Sequence, residues 1–178
     1  MSKTQLRKEL ANFDAQKLRE IILDLYDARK EAKDYLEFFI NPDVDKKMEA
    51  VTVLLSKEIG RVKRRLVSPR WTRVNQIIRD FQSLNPGAEY VLKMYWAAVR
   101  LAMDERAAYY VSASFDNGLY KLFEKMLQYG DKNQVLDTLL NDILYVFDKY
   151  SEYRNRDVRN ITADFHHTLS TFQSTLRP

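Results

Sequence analysis

The stretch Ser68-Pro69-Arg70-Trp71-Thr72-Arg73-Val74-Asn75-Gln76-Ile77-Ile78-Arg79-Asp80-Phe81-Gln82-Ser83-Leu84-Asn85-Pro86-Gly87 decides the fold class. Trp71, Val74, Ile77, Ile78, Phe81 and Leu84 recur every three or four residues, which places them on one side of a helix. Ser68 is a good N-cap residue, and Pro69 suits the first helical position, where the missing N–H has no intrahelical partner to lose. Asn85-Pro86-Gly87 then stops the helix. A half-buried strand would alternate with period two, and no segment of this chain sustains that pattern between turns.

The same grammar extends in both directions. Upstream, a short helix is expected over Ser2–Ala11, followed by Asp14 as an N-cap. Leu18, Ile21, Ile22, Leu25, Ala28, Ala32, Tyr35, Leu36 and Phe39 then predict one long helix over 15–40, stopped by Asn41-Pro42. Met48, Val51, Val53, Leu54, Leu55 and Ile59 predict a helix over 43–59 that ends near Gly60. Downstream, helical stripes predict 88–110, 117–129 and 133–150. Val158, Ile161, Phe165, Leu169, Phe172 and Leu176 keep helical spacing in a segment dense in Ser, Thr and Gln. The chain has only four glycines and four prolines, and in an all-helical fold they are expected at the joints.

The expected fold is therefore all-α. Short joints favour antiparallel neighbours, so the six main helices pair as three successive hairpins, 15–40 with 43–59, 69–84 with 88–110, and 117–129 with 133–150. This makes a short α-solenoid-like stack or an irregular helical bundle. At 178 residues the chain suits a single helical domain over 1–154, with a C-terminal segment, 155–178, packed on it. Core positions are expected at Ile22, Leu25, Leu36, Phe39, Leu54, Ile78, Phe81, Val91, Met94, Leu122, Leu139 and Ile143.

Composition removes whole classes of chemistry. There is no cysteine, which excludes disulfides, thiolate metal sites and cysteine nucleophiles. No phosphate-cradling glycine loop, nucleophile elbow or His-Glu-x-x-His pattern occurs. His166 and His167 are the only histidines; on a helix they diverge by about 100° and do not jointly clasp a metal. Asp164 is placed to orient His167, but nothing frames Ser170 or Ser174 as an activated nucleophile, so a histidine pair at the surface or core edge is the expectation. Glu20, Asp24, Asp27, Glu31 and Asp34 would share one face of the long helix. Oxygen ligands suit hard cations, yet Arg29, Lys30 and Lys33 on flanking rows favour a solvated face. No catalytic residue, metal ligand or cofactor is assigned, and the chain reads as a non-enzyme.

Charge is unevenly distributed. Between residues 57 and 79 lie Lys57, Arg61, Lys63, Arg64, Arg65, Arg70, Arg73 and Arg79 against Glu58 alone, a local +7 that leaves −3 for the rest of a chain whose net charge is +4. Arg61, Lys63, Arg64, Arg65, Arg70 and Arg73 are the candidate polyanion-binding residues, with the amides opening the next helix able to assist. Trp71 is available to stack on a base, although its place on the Val74–Ile78 stripe favours the core. Tyr95-Trp96 and Tyr109-Tyr110 are adjacent pairs, so one member of each is expected off the main stripe, packed against the neighbouring hairpin rather than lining a peptide site.

Ser2-Lys3, Leu6-Arg7-Lys8-Glu9-Leu10 and Leu18-Arg19-Glu20-Ile21-Ile22-Leu23-Asp24-Leu25-Tyr26, continuing through Lys30-Glu31-Ala32-Lys33-Asp34-Tyr35-Leu36-Glu37-Phe38-Phe39 to Asn41-Pro42-Asp43, resemble an uncharacterised family of small all-helical bacterial proteins, a domain of unknown function. The likeness is fainter at Arg65-Leu66-Val67-Ser68, Ile77-Ile78-Arg79-Asp80-Phe81 and Phe165-His166. The resemblance implies a bacterial, cytoplasmic, helical protein and carries over no catalytic residues. The polar N-terminus and the lack of any apolar run of about 20 residues also lead to the expectation of a cytoplasmic protein without a membrane partner. The function expected first is a helical protein–protein interaction module with an unidentified protein partner; the alternative is nucleic-acid or polyanion binding through 57–79.

Overall fold

A computed structural model describes residues 1–176, with side chains as far as Ser174; the side chain of Leu176 and all of Pro178 lie outside the described residues. The described chain is helical apart from one two-stranded ribbon, so the fold is all-α. It divides into two compact units, one ending at Asp43 and one beginning at Val44.

The first unit holds α1 (Lys3–Leu10), α2 (Ala15–Ala28) and α3 (Lys30–Ile40). Ser2 and Gln5 form a reciprocal capping box on α1: the Ser2 hydroxyl accepts from the Gln5 amide, and the Gln5 side chain accepts from the Ser2 amide. Asp14 caps α2 as its position in the sequence predicts, accepting from the Lys17 amide at 2.7 Å. The single long helix expected over 15–40 is broken at Arg29, whose backbone is extended at φ −137° and ψ 116°. The break lets α3 pack against α2. Tyr26 then donates to Glu37 Oε1 at 2.9 Å and lies 5.2 Å beneath the Lys33 ammonium. No glycine or proline marks this break, so tertiary pairing of the two halves overrides local helix preference. It also divides the acidic row, leaving Glu20, Asp24 and Asp27 on α2 but Glu31 and Asp34 on α3. Among the described residues no group of three or more such side chains could hold a metal ion.

None of the residues of α1–α3 is buried. Ile22, Leu25 and Phe39, expected in the core, are 46%, 48% and 71% exposed, and Leu36 is only half-buried. The helical stripe is present, but three helices in 43 residues offer too little apolar surface to enclose a side chain within their own unit.

The second unit contains α4 (Val44–Ile59), β1 (Val62–Lys63), β2 (Leu66–Val67), α5 (Trp71–Ser83), α6 (Ala88–Ala108), α7 (Phe115–Lys132), a 3₁₀ turn (Leu136–Thr138), α8 (Leu140–Ser151) and α9 (Arg156–Leu176). Helix α6 packs against α4, α5, α7 and α9, and α8 packs against α9. That central position accounts for the nearly all-round burial of α6, including Val91, Met94, Tyr95, Trp96, Val99 and Met103. Tyr95 and Trp96 are thus both core residues. Ile78, Phe81, Val91, Met94, Leu122, Leu139 and Ile143 are buried as expected, whereas Leu54 is half exposed. Phe165 of α9 stacks on Phe123 at 4.3 Å between ring centroids and lies 5.9 Å from Phe147, tying α7, α8 and α9 together.

Two glycines depart from the expected joints. Gly118 and Gly130 lie inside α7, where they allow close packing. The Trp71 indole lies directly against Gly118: a Cβ there would stand 2.0 Å from Trp71 Nε1. A Cβ on Gly130 would meet Leu136 and Leu92 at 3.1 Å. Gly87 does serve as a joint, with φ +111° just before α6.

Candidate functional site

The basic segment folds into the connector between α4 and α5. Val62 pairs with Val67 and Lys63 with Leu66, so Arg64 and Arg65 are the two residues of a tight antiparallel turn. Both have positive φ, 51° and 67°, as a type I′ turn requires. This conformation is usually given to Asn or Gly, because a Cβ crowds the neighbouring carbonyl at a cost of roughly 1–2 kcal/mol per residue. The base of the ribbon is closed by Ser68 N–H donating to the Arg61 carbonyl at 2.8 Å, while the Arg61 guanidinium leans on the Ser68 carbonyl at 3.4 Å.

The six candidate cations therefore part ways. Arg70 is engaged within the fold: its Nε and Nη2 donate to the two carboxylate oxygens of Glu58 at 2.8 and 2.7 Å, and its backbone N–H adds a third bond at 3.2 Å. The Arg70 side chain holds the Glu58 carboxyl below its ordinary value, against the opposing effect of burial. Ser68 does not cap α5; Arg70 occupies the N-cap position without a side-chain cap bond, and the Glu58 carboxylate lies at the amide end of the helix instead. Arg61 is half-buried at the ribbon base. Lys63, Arg64 and Arg65 are exposed at the tip, and Arg73 is exposed on the first turn of α5. Among the described residues none of these four has an acidic partner within ion-pair distance.

The chain after α6 returns to the ribbon. The Val67 amide donates to the Tyr110 carbonyl at 2.8 Å and the Ser112 amide to the Val67 carbonyl at 2.9 Å, a parallel bridge pairing Val67 with Val111. Paired residues share a sheet face and neighbours along a strand alternate. Val62, Val67 and Val111 therefore lie on one face, and Lys63, Leu66 and Tyr110 on the other. Tyr110 is 84% exposed and Tyr109 61%. Both members of this pair leave the core, against the expectation that one would pack inside. Sequence reading misses the site because the ribbon strands are two residues each and the tyrosines lie more than 40 positions downstream. Trp71 is not available to a base: it packs edge-on against Phe115 at 5.6 Å and over Gly118.

The other candidates are accounted for inside the helical unit. Asp164 accepts the Tyr120 hydroxyl, which burial first and this bond second push above its ordinary value. His166, not His167, faces a carboxylate, with Nε2 4.0 Å from Asp148 Oδ1 and its ring against Phe147. A shallow cleft of about 270 Å³ is lined by Gly130, Asp131, Gln134, Leu136, Asp137, Leu140 and Gln173.

A model of a family of unknown function, DUF6155, matches residues 1–172, and the chain belongs to this family. No curated protein and no solved structure matches the chain.

Proposed function

We propose that this member of a family of unknown function binds the phosphate backbone of nucleic acid through the tip of its basic ribbon, as a binding protein without enzymatic activity. One observation carries the reading: Lys63, Arg64 and Arg65 are exposed at the tip with no carboxylate partner among the described residues, while neighbouring Arg70 is neutralised by Glu58. Cations left unpaired release counterions from a polyanion when they bind it, which makes the affinity steeply salt-dependent. Arg73 is a further exposed cation on the first turn of α5, and Arg61 holds the ribbon base.

The test is titration of the full chain with labelled oligonucleotides across a salt series. Affinity should fall with a log–log slope near −0.7 per neutralised phosphate on single strands, and Lys63→Ala/Arg64→Ala/Arg65→Ala should flatten that slope by about 2. Absence of oligonucleotide binding at low salt would dismiss the reading.

A second reading is a helical protein-interaction module of the bacterial cytoplasm, built as successive helical hairpins. It is favoured by the apolar residues of the first unit, where Leu23, Phe39 and Ile40 are largely exposed. A partner held by the wild-type protein and released by Leu23→Glu/Phe39→Glu would support it.

A further inference from the structure

We infer that the ligand is single-stranded nucleic acid, with a base stacked on Tyr110 and the adjoining phosphates held by Lys63, Arg64 and Arg65. The inference rests on the phosphate-binding reading above and adds the ligand class to it. The bridge between Val67 and Val111 places Tyr110 on the same sheet face as Lys63 and Leu66. That face presents a nearly fully exposed phenol ring, a half-open aliphatic side chain and an ammonium side by side, with two guanidinium groups at the turn next to them. Exposed aromatics beside cations on a small sheet surface suit unpaired bases, because every base has a π-face and the adjoining backbone carries the charge. Paired bases in a duplex are stacked on one another and offer no free face to a ring on a ribbon. The backbone conformation supports a role for the tip: Arg64 and Arg65 occupy positive-φ positions that Asn-Gly would fill with less strain, so long cationic side chains stand where the turn itself favours small ones.

The experiment compares a 15-mer of deoxythymidine, a 15-mer of uridine, a 15-base-pair duplex and heparin, each titrated into the wild-type protein and into Tyr110→Ala, Tyr110→Phe and Lys63→Ala/Arg64→Ala/Arg65→Ala. Thermal melts of every variant confirm folding. The expected result is tighter binding of single strands than of duplex. Tyr110→Ala should weaken single-strand binding roughly five- to hundred-fold with little change in salt slope. Tyr110→Phe should retain binding, and heparin should be indifferent to both tyrosine variants. The two homopolymers separate DNA from RNA as the source of the strand. Unchanged single-strand affinity in Tyr110→Ala, or a preference for duplex, together with loss in the triple variant, would overturn the stacking inference and leave phosphate binding intact. Failure of every polyanion to bind would overturn both.

Discussion

Arg70 grips Glu58 with both prongs of its guanidinium, Nε to Oε1 at 2.8 Å and Nη2 to Oε2 at 2.7 Å, and its own amide reaches the same carboxylate. The acid ends α4 and the base precedes α5, so the pair ties the two ends of the ribbon connector together. It also removes from the basic segment the cation that occupies the N-cap position of α5.

This pairing sets a pH dependence. Bonding to the Arg70 side chain lowers the Glu58 pKa in the folded protein from an ordinary value of 4.5. A carboxyl whose pKa falls on folding contributes stability that is fully present above the unfolded value and is lost as pH falls through the folded one. The wild-type protein should therefore exceed Glu58→Gln in stability at pH 7, with the difference closing as pH drops below about 4.5. Urea midpoints of both proteins from pH 7 to pH 3 would measure it, and a pH-independent difference would refute the linkage.

Gly118→Ala should destabilise despite its helical position. Alanine is the better helix former by about 1 kcal/mol, but the new methyl would lie 2.0 Å from Trp71 Nε1, and that ring is also held by Phe115. Displacing a packed indole costs about 1–3 kcal/mol. Chemical denaturation should show a net loss, and a gain would mean that Trp71 repacks freely.

The two units should differ in their sensitivity to truncation. Ile78→Ala and Leu139→Ala remove buried side chains and should each cost roughly 2–5 kcal/mol. Phe39→Ala removes a ring that is 71% exposed and should stay within about 0.5 kcal/mol of the wild type. A large loss at Phe39 in equilibrium unfolding would place that ring in a core.

Arg64→Asn/Arg65→Gly should raise stability by about 1 kcal/mol, because both substitutions suit positive φ better than arginine does. The same variant should lose affinity for oligonucleotides. A calorimetric melt and a binding titration on one sample would show the opposite signs, and unchanged stability would argue against strain at the tip.

The legible parts of this fold were those governed by local rules. Helical spacing located α4 through α9, with Ile78, Phe81, Val91, Met94, Leu122, Leu139 and Ile143 as buried residues, and Asp14 as a cap. Periodicity gives the side of a helix that is apolar, but it does not say whether another element covers that side. Ile22, Leu25, Phe39 and Leu54 therefore read as core positions, yet Ile22, Leu25 and Leu54 are about half exposed and Phe39 more so.

The all-α class, the approximate positions of the helices in the second unit and the concentration of positive charge between residues 57 and 79 are legible along the chain, since each follows from spacing and composition, although the helix expected over 133–150 begins only at Leu140, after a 3₁₀ turn. The break at Arg29, the neutralisation of Arg70 by Glu58, the seating of Trp71 on Gly118 and the arrival of Tyr110 on the sheet face it shares with Leu66 and Lys63 come from the tertiary structure alone. Each of these depends on which distant or adjoining segment comes to lie against another. Such contacts arise from the packing of whole helices, and no local pattern records them.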